Sequence, residues 1–304
     1  MSHGDAATSA LLAEVFPGTR VARPDYLRWL YRDSPFGAVV ECNLDDEQGR
    51  AGHYAVVPVD LAVDGSVRPA ALSLNTAVHP RARGGGTFVR LATATFEVAR
   101  AQGIEIVVGV ANANSTPGFL RRLDFELLTP LPAQVIVPVP GRPGSVRSGW
   151  AADAAFAGAA LDDAALAPLL QAPARGIARA WTPTALRWRL CAPGTRFALH
   201  RGPGMLMVST SDVRRDVRVA VIAKVFVERT LDGAAAAALV RAACRTHRAP
   251  LALHLGINDG VSFRGLALPE RLRPSPLNLI FRALDGTPRS AQPVRFEALD
   301  FDAY

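Results

Sequence analysis

The chain has 304 residues, of which 49% are apolar and 20% charged, so it is a globular chain long enough to bury two modest cores. Its formal net charge is +7, but the basic residues are almost all arginines scattered along the chain, and Lys224 is the only lysine. The absence of basic blocks, aromatic-interleaved basic stripes and zinc-finger spacing argues against nucleic-acid binding, and the absence of a long apolar run argues against a membrane span.

The first part of the chain is predicted to form two helices followed by an antiparallel sheet. Pro24 and Asp25 are typical of a helix start, and β-branched residues dominate the segments that follow. The turn at Asp64 and Gly65 predicts a β-hairpin. The predicted helices are residues 8–16 and 25–31, and the predicted strands are residues 38–42, 54–63 and 70–78.

A helix and a buried strand are predicted to follow this sheet. Residues 87–102 carry apolar side chains on one face at helical spacing, and Gly103 ends the pattern. Residues 104–110 are typical of a buried strand, and a segment rich in Asn and Ser comes next. Antiparallel strands followed by a helix and a parallel strand predict a mixed α/β sheet.

Prolines and glycines become frequent after residue 130. We therefore expect an N-terminal domain at residues 1–140, a linker with Ala/Leu-rich helices at 141–180, and a C-terminal domain at 181–304. The frame Pro-x-x-Leu-Arg-Trp that ends at Trp29 recurs and ends at Trp188. A predicted helix at 234–248 and strand at 251–255 repeat the element order of the first half, which favours a duplicated fold with both tryptophans as core anchors.

The junction before the helix at residue 87 carries the strongest functional signal. Arg83 precedes three consecutive glycines, Gly84, Gly85 and Gly86. Glycines at a strand-to-helix turn allow backbone N–H groups to converge on an anion, with the helix dipole behind them. The junction is therefore predicted to hold a diphosphate. It has neither the GxGxxG of a dinucleotide-binding turn nor the GK[ST] of a P-loop.

The residues around this junction resemble the GNAT acyltransferase superfamily, whose signature is a Val-x-Pro strand end, then [Arg/Gln]-x-x-Gly-x-[Gly/Ala], then a helix. Four residues fall on that pattern: Val78, Pro80, Arg83 and Gly86. Phe88 departs from it, because the family has a small residue there. Three motifs also resemble a tandem-GNAT branch tied to bacterial polysaccharide and small-molecule tailoring: Gly52-His53-Tyr54 with Pro58, Thr76-x-x-His79-Pro80 and Asn112-x-x-Ser115-x-Pro117-Gly118-Phe119.

The resemblance implies two tandem GNAT-like domains, the first of which binds acetyl-CoA or another acyl-CoA. The pyrophosphate would lie on the glycine bend, and the pantetheine arm would pair with the backbone of the preceding strand, where an N–H would stabilise the oxyanion. Helix capping is the alternative role for the Asn/Ser segment. The residues expected to bind the cofactor are Thr76, Ala77, Val78, Arg83, Gly84, Gly85, Gly86, Thr87, Phe88, Asn112, Asn114, Ser115 and Phe119.

Catalytic residues are weakly marked. The family often has a tyrosine where Phe119 stands, and a glutamate on the strand that here offers only Ser73 and Asn75. The imidazole of His53 is suited to deprotonating an amine. His53 and Asn75 are therefore the candidate catalytic residues, with a purely structural role as the alternative for His53, and no bound metal is expected.

The second half has acidic residues where the first half has glycines. Residues 228–233 read Glu-Arg-Thr-Leu-Asp-Gly, and carboxylates repel a pyrophosphate. The second domain is therefore predicted to be a degenerate copy. The terminal segment 300–304 is interpreted either as a frayed end or as a tail that lines the pocket.

These features together predict an acyl-CoA-dependent N-acyltransferase that acts directly on the amine of a small molecule, such as an amino sugar or an amino acid. The alternative is a non-catalytic acyl-CoA-binding or scaffold protein of the same fold. A cytoplasmic location is expected, because the N-terminus lacks secretory features and the three cysteines are few and widely separated.

Overall fold

The computed structural model describes residues 3–142, 144–269, 276–286 and 293–304; Pro143 of the predicted linker lies outside these ranges. Within them, fifteen strands join into one mixed sheet. None of the helices in these ranges combines the length and the apolar content that a bilayer crossing requires. The predicted α/β class is confirmed.

The first half places helices on an antiparallel hairpin. Helices α1 to α4 are His3–Val15, Pro24–Tyr31, Thr87–Ala101 and Thr116–Arg122. Strands β1 to β6 are Val40–Asp46, Gly49–Val63, Ser66–Val78, Ile106–Ala111, Glu126–Pro130 and Ala133–Ile136. Short 3₁₀ turns cover Arg20–Ala22 and Pro80–Ala82.

The second half repeats this order in outline. Its helices α5 to α8 are Ala154–Ala160, Asp163–Leu166, Pro183–Leu190 and Gly233–His247. Its strands β7 to β15 are Arg147–Trp150, Ile177–Arg179, Ala198–Gly202, Met205–Arg214, Val217–Val227, Leu251–Ile257, Leu266–Ala267, Asn278–Ala283 and Val294–Glu297. A 3₁₀ turn at Ala298–Phe301 follows β15.

The predicted hairpin between β2 and β3 is confirmed. Val63 pairs with Ser66, and the two residues between them, Asp64 and Gly65, have positive φ values of 49° and 80°. Positive φ at both central positions is the type I′ geometry, whose twist matches that of the strands it joins. The turn therefore sets the register of the two longest strands of the first half.

Successive residues of β2 face opposite sides of the sheet, and this alternation separates α2 from α3. Tyr54 and Val56 pack in the core that contains the apolar face of α3. Ala55 and Val57 pack in the core that contains α2 and α7. Helices α2 and α3 therefore cover opposite faces of the same strands.

The two halves exchange strands. β14 lies between β4 and β5 of the first half and is antiparallel to both. β6 pairs in turn with β12 of the second half. The sheet therefore crosses the domain limits expected at residues 140 and 180, and those limits stay a prediction.

The repeated sequence frame lies where the halves meet. The rings of Trp29 and Trp188 stack with centroids 4.6 Å apart and planes at 17°. Trp29 Nε1 donates to the backbone oxygen of Trp188 at 3.2 Å, and Trp188 Nε1 donates to that of Trp29 at 3.4 Å. Reciprocal contacts of this kind are those of a local two-fold axis. Both tryptophans thus anchor the shared core, as the sequence predicts.

Candidate functional site

Strands β3 and β4 pair for a short distance and then diverge. Their parallel pairing begins at Ala70 and Ile106 and ends at Ser73 and Gly109. A register shift opposite Tyr54, together with a positive φ of 54° at Asn75, marks a β-bulge in β3, and a bulge bends a strand away from its neighbour. Within the described residues, 74–78 consequently have no strand partner on the β4 side.

The three residues expected to hold the pantetheine arm lie on this open edge. Ala77 is buried against the α2 side of the sheet, and Val78 lines a cavity at the end of the strand. Thr76 Oγ1 is buried and has no hydrogen-bond partner in the part of the chain that the structure describes. Because buried polar atoms are usually paired, Thr76 marks a place where a ligand can supply the missing contact.

The glycine bend has the backbone geometry that anion binding requires. Gly84, Gly85 and Gly86 have φ values of 92°, 55° and 75°, a region that favours glycine. All three are exposed, and a Cβ at any of them would meet nothing within 4 Å. Thr87 Oγ1 donates to the Gly84 oxygen at 3.2 Å and so holds the bend on the first turn of α3. The N–H groups of that first turn have no acceptor within the helix.

A cavity of about 120 Å³ connects the bend to the end of β3. Two guanidinium groups give it positive charge, and one of them, Arg83, also donates from Nε to the Val78 oxygen at 3.2 Å. The other is Arg122, which the sequence did not indicate as a site residue, since only the fold of α4 brings it to the bend. The lining residues are Val78, Arg83, Gly84, Gly86, Thr87, Phe88, Val89 and Arg122.

A larger cavity, of about 490 Å³, lies between the end of α4 and the end of β14. Its lining includes the carboxylates of Asp124, Glu126 and Asp285 as well as Arg282. A diphosphate is disfavoured among three carboxylates, and no glycine nest adjoins them within the described residues. The smaller cavity is therefore the better anion site.

The Asn/Ser segment forms a hydrogen-bonded turn that leads into helix α4. Asn112 Oδ1 accepts hydrogen bonds from the backbone N–H groups of Asn114 at 3.0 Å and Ser115 at 2.9 Å. Thr116 Oγ1 donates to the Asn112 backbone oxygen at 2.7 Å. These bonds fix the turn before α4, but the Ser115 side chain makes no capping hydrogen bond to the helix. A contact of this segment with the cofactor arm stays a prediction.

Phe88 and Phe119 belong to one aromatic cluster. Their rings meet edge to face with centroids 5.4 Å apart, and Tyr54 and Phe125 extend the cluster on either side. Packing against Phe119 explains how α3 accepts Phe88 in place of the small residue of the resembled signature. Phe119 is buried and carries no proton to donate, so it can shape the cleft but cannot protonate a leaving group.

His53 is fully buried between β2 and α2. Its Nε2 lies 2.9 Å from Tyr31 Oη, and its Nδ1 lies 2.7 Å from Asn43 Oδ1. Burial, together with the nearby charge of Arg50, lowers the pKa of His53 to about 3. Both ring nitrogens are engaged and the ring is neutral at physiological pH, so this environment opposes the predicted use of His53 as a direct base.

Asn75 occupies the bulge where β3 leaves β4. Its Nδ2 donates to Tyr31 Oη at 3.3 Å, which turns the side chain toward α2. Asn75 and His53 therefore meet through Tyr31, a residue that the sequence did not single out. The only available signal was its position at the end of the helix that begins with the repeated frame.

The corresponding divergence in the second half is filled by the chain itself. The parallel pairing of β11 and β12 ends at Ile222 and His254, and β15 then pairs with the end of β12. Glu297 Oε2 accepts a hydrogen bond from the Val225 N–H at 3.4 Å. The helix after β11 is capped by Asp232, whose carboxylate accepts from the Ala235 N–H at 2.7 Å. A carboxylate thus stands where the first half has its glycine bend.

The C-terminal segment is neither frayed nor exposed, so the interpretation as a frayed end is wrong. Asp300 is 1% exposed and accepts hydrogen bonds from Trp181 Nε1 at 2.8 Å and from Lys224 Nζ at 2.6 Å. Lys224 also lies 3.3 Å from Glu297. These buried ionic contacts fix the segment in the second divergence.

The glycine bend therefore lies beside a splayed pair of parallel strands, and the sequence comparison relates this part of the chain to a family. A family model described as an acetyltransferase (GNAT) domain matches residues 8–128, the part of the chain that carries the cleft. This domain belongs to the GNAT superfamily, and its membership supports acyl transfer as the general activity. A search of curated proteins finds no match.

Solved structures share the fold along nearly the whole chain. A GCN5-related N-acetyltransferase from Anabaena variabilis has a TM-score of 0.64 at 15% identity, covering 93% of this chain and 71% of that one. A probable N-acyltransferase from Enterococcus faecalis has a TM-score of 0.64 at 14% identity, covering 94% and 72%. N-myristoyltransferase from Saccharomyces cerevisiae, solved with myristoyl-CoA, has a TM-score of 0.54 at 11% identity, covering 90% and 78%. These likenesses are consistent with two GNAT-like halves.

Proposed function

We propose that the protein is an acyl-CoA-dependent N-acyltransferase, with acetyl-CoA as its first candidate donor. The acceptor is the amine of a small molecule such as an amino sugar or an amino acid, and the acyl group passes to it directly. The observation that carries the proposal is the divergence of β3 from β4 beside the open glycine bend. A cytoplasmic location remains part of the proposal.

The bend and its two arginines would hold the pyrophosphate of the donor. N–H groups from Gly84 to the start of α3 supply donors, apart from that of Thr87, which donates to the Gly84 oxygen at 3.2 Å. Arg83 and Arg122 supply charge. The arm would pair with the open edge of β3 at Thr76, Ala77 and Val78. The bound myristoyl-CoA of the yeast structure supports an acyl-CoA as the ligand of such a fold.

The chemistry asked of the protein is mainly positioning and oxyanion stabilisation. A backbone N–H of β3 aimed at the thioester carbonyl would lower the barrier by about 2.7–4 kcal/mol. The amine attacks that carbonyl, the carbon–sulfur bond breaks, and water carries the proton that the nitrogen loses to the departing thiolate, because Phe119 has none to give. No group of His, Cys, Asp and Glu within the described residues could hold a metal ion.

Membership of the tandem branch is also a proposal. The reciprocal strand exchange and the stacked pair of Trp29 and Trp188 support a duplication of one GNAT-like unit. The filled divergence of the second half supports a degenerate copy without its own acyl-CoA. The acceptor class rests on the resemblance to that branch.

The cradle is tested by titration calorimetry with coenzyme A. We expect micromolar binding for the wild-type protein and none for the double variant Arg83→Glu/Gly86→Glu, because two carboxylates would repel the diphosphate from the bend. Arg100→Glu is the control for charge reversal, since this exposed arginine undergoes the same substitution as Arg83 but at the far end of α3. Unaltered binding by the double variant would refute the cradle.

A non-catalytic acyl-CoA-binding protein is the second candidate. The burial of His53 and the lack of a proton on Phe119 favour it, since neither acid nor base is evident at the cleft. Incubation with acetyl-CoA and a panel of amino sugars and amino acids separates the two candidates. Release of free thiol that depends on the amine supports the enzyme, and binding without release supports the second candidate.

A further inference from the structure

A line of hydrogen bonds leads from the surface at Glu41 to the bulge at Asn75. Asn43 Nδ2 lies 3.3 Å from Glu41 Oε2, and Asn43 Oδ1 lies 2.7 Å from His53 Nδ1. His53 Nε2 lies 2.9 Å from Tyr31 Oη, which accepts from Asn75 Nδ2 at 3.3 Å. Arg32 holds the outer end through its ion pair with Glu41 at 3.1 Å.

The carboxylate of Glu41, at the outer end of this line, determines which atom donates in each of its hydrogen bonds. An ionised carboxylate only accepts, so Asn43 must turn its NH₂ group to Glu41 and its oxygen to His53. His53 must then donate from Nδ1 and accept at Nε2, which makes Tyr31 the donor to the ring. The Tyr31 oxygen is left to accept from Asn75.

This line orients side chains and does not conduct protons. The amide groups of Asn43 and Asn75 stand at two of its links, and an amide N–H does not pass a proton onward in the way that a hydroxyl or an imidazole does. Both nitrogens of His53 are already bonded. The line therefore has one fixed arrangement, which locks Nδ2 of Asn75 onto Tyr31.

Locking Nδ2 determines what Asn75 can offer a substrate. Its Oδ1 accepts no hydrogen bond from any described residue, and the side chain is only partly buried. Tyr31 belongs to α2, on the sheet face opposite α3 and the glycine bend. Asn75 thus presents an acceptor atom at the inner end of the open edge, on the face away from the cradle.

We propose that Glu41, Asn43, His53 and Tyr31 are positioning residues that hold Asn75, and that Asn75 Oδ1 accepts an N–H of the acceptor amine. This inference rests on the proposed acyl transfer. It implies that the amine reaches the thioester from the α2 face while the donor enters from the α3 face, and that His53 acts through Tyr31 and not as a base.

The first test measures the tautomer of His53 in the free protein. Imidazole ¹H–¹⁵N correlation spectra at neutral pH should show the proton on Nδ1, with His53→Gln used to assign the signal among the six histidines of the chain. A proton on Nε2, or a charged ring, would overturn the line. This result does not depend on whether the protein transfers acyl groups.

The second test compares Michaelis constants for an amine that supports thiol release. We expect Asn75→Ala and Tyr31→Phe to raise KM for the amine about tenfold, the effect of one hydrogen bond, and to leave KM for acetyl-CoA unchanged. His53→Gln should stay within about twofold of wild type, because glutamine can also donate to Asn43 and accept from Tyr31, whereas His53→Leu should behave as Tyr31→Phe does.

The outcomes distinguish this inference from the function on which it rests. Loss of turnover in His53→Gln as complete as in His53→Leu would make His53 a base and overturn the positioning role. A change in KM for acetyl-CoA alone would place Asn75 on the donor arm and overturn its contact with the amine. Wild-type protein that releases no thiol overturns acyl transfer, and this use of Asn75 with it. Unchanged coenzyme A binding by each variant establishes that the fold is intact.

Discussion

Between β3 and β4 the sheet opens onto a glycine bend, whereas between β11 and β12 the same divergence is closed by residues 294–301. In both places a parallel pair separates at a register shift in the first strand. The exposed edges need hydrogen-bond partners in either case. In the proposed function an acyl-CoA takes that role in the first half, whereas residues 294–301 of the chain take it in the second half.

The two regions also differ in charge: the open one is positive, and the closed one has a carboxylate at the start of its helix. Arg83 and Arg122 face the open bend, while Asp232 caps the equivalent helix. In the closed divergence, burial alone would raise the pKa of Glu297, but Lys224 and His254 bring it below its usual value. The two halves thus share the divergence of a parallel strand pair but carry opposite charges at the start of the helix that follows it.

Removing Lys224 tests the closed divergence and has the largest expected effect. Lys224→Ala leaves Glu297 and Asp300 buried without their counter-ion, and loss of one partner of a buried ion pair costs about 3–5 kcal/mol. Urea unfolding measures this loss. Arg23→Ala is the control, because its pair with Asp25 is about half exposed, at 51% and 53%, and is expected to change stability by about 0–1 kcal/mol. Equal effects of the two variants would contradict the role assigned to the buried ionic contacts of Lys224.

The buried histidines test whether acid weakens both halves alike. Burial lowers the pKa of His53 and of His200 to about 3, from an ordinary value of 6.5. Unfolded imidazoles take up protons below about pH 6.5 while the folded ones stay neutral, so stability falls as the pH drops from 7 to 5. His53→Gln and His200→Gln should each remove about 2 kcal/mol of that fall.

The measurement is the free energy of urea unfolding at pH 7 and at pH 5. His79→Gln is a suitable control, because His79 is partly exposed at the 3₁₀ turn before the bend. A pH dependence that neither buried substitution alters would show that these rings are protonated in the folded state.

Arg122 tests the open bend, with the smallest expected effect. Arg122→Ala should weaken coenzyme A binding about tenfold, and the loss should shrink as salt is added, because the residue is exposed. Arg121→Ala is the matched control, since Arg121 is adjacent to Arg122 on α4 but does not line the cavity. Calorimetry at two salt concentrations gives both quantities. Similar losses for both variants would reduce Arg122 to general surface charge.

Local patterns predicted the elements that form the cleft. The hairpin of β2 and β3 follows from Asp64 and Gly65, and α3 follows from apolar spacing after Gly86. The bend could be predicted because three positive φ values need glycine, and glycine is visible in a sequence. These features depend on residues that are near one another in the chain.

Features that depend on distant contacts could not be predicted. Arg122 reaches the bend only because α4 folds back along the sheet, and Tyr31 meets Asn75 only because α2 packs on that face. The burial of His53 could not be predicted either, because a histidine in a strand gives the same sequence pattern whether it is buried or exposed. No residue pattern near Lys224 in the sequence indicates that its partners are Glu297 and Asp300.

The exchange of strands between the two halves limits how this protein can be divided into fragments. A fragment that stops near residue 140 would lack β14, leaving β4 and β5 with bare hydrogen-bonding edges that invite aggregation. The remaining fragment would lack β6 beside β12. Two such pieces produced together would regain these strand pairings only by binding to one another. We therefore expect that neither half folds as an independent module, because the order of the strands makes each half depend on the other.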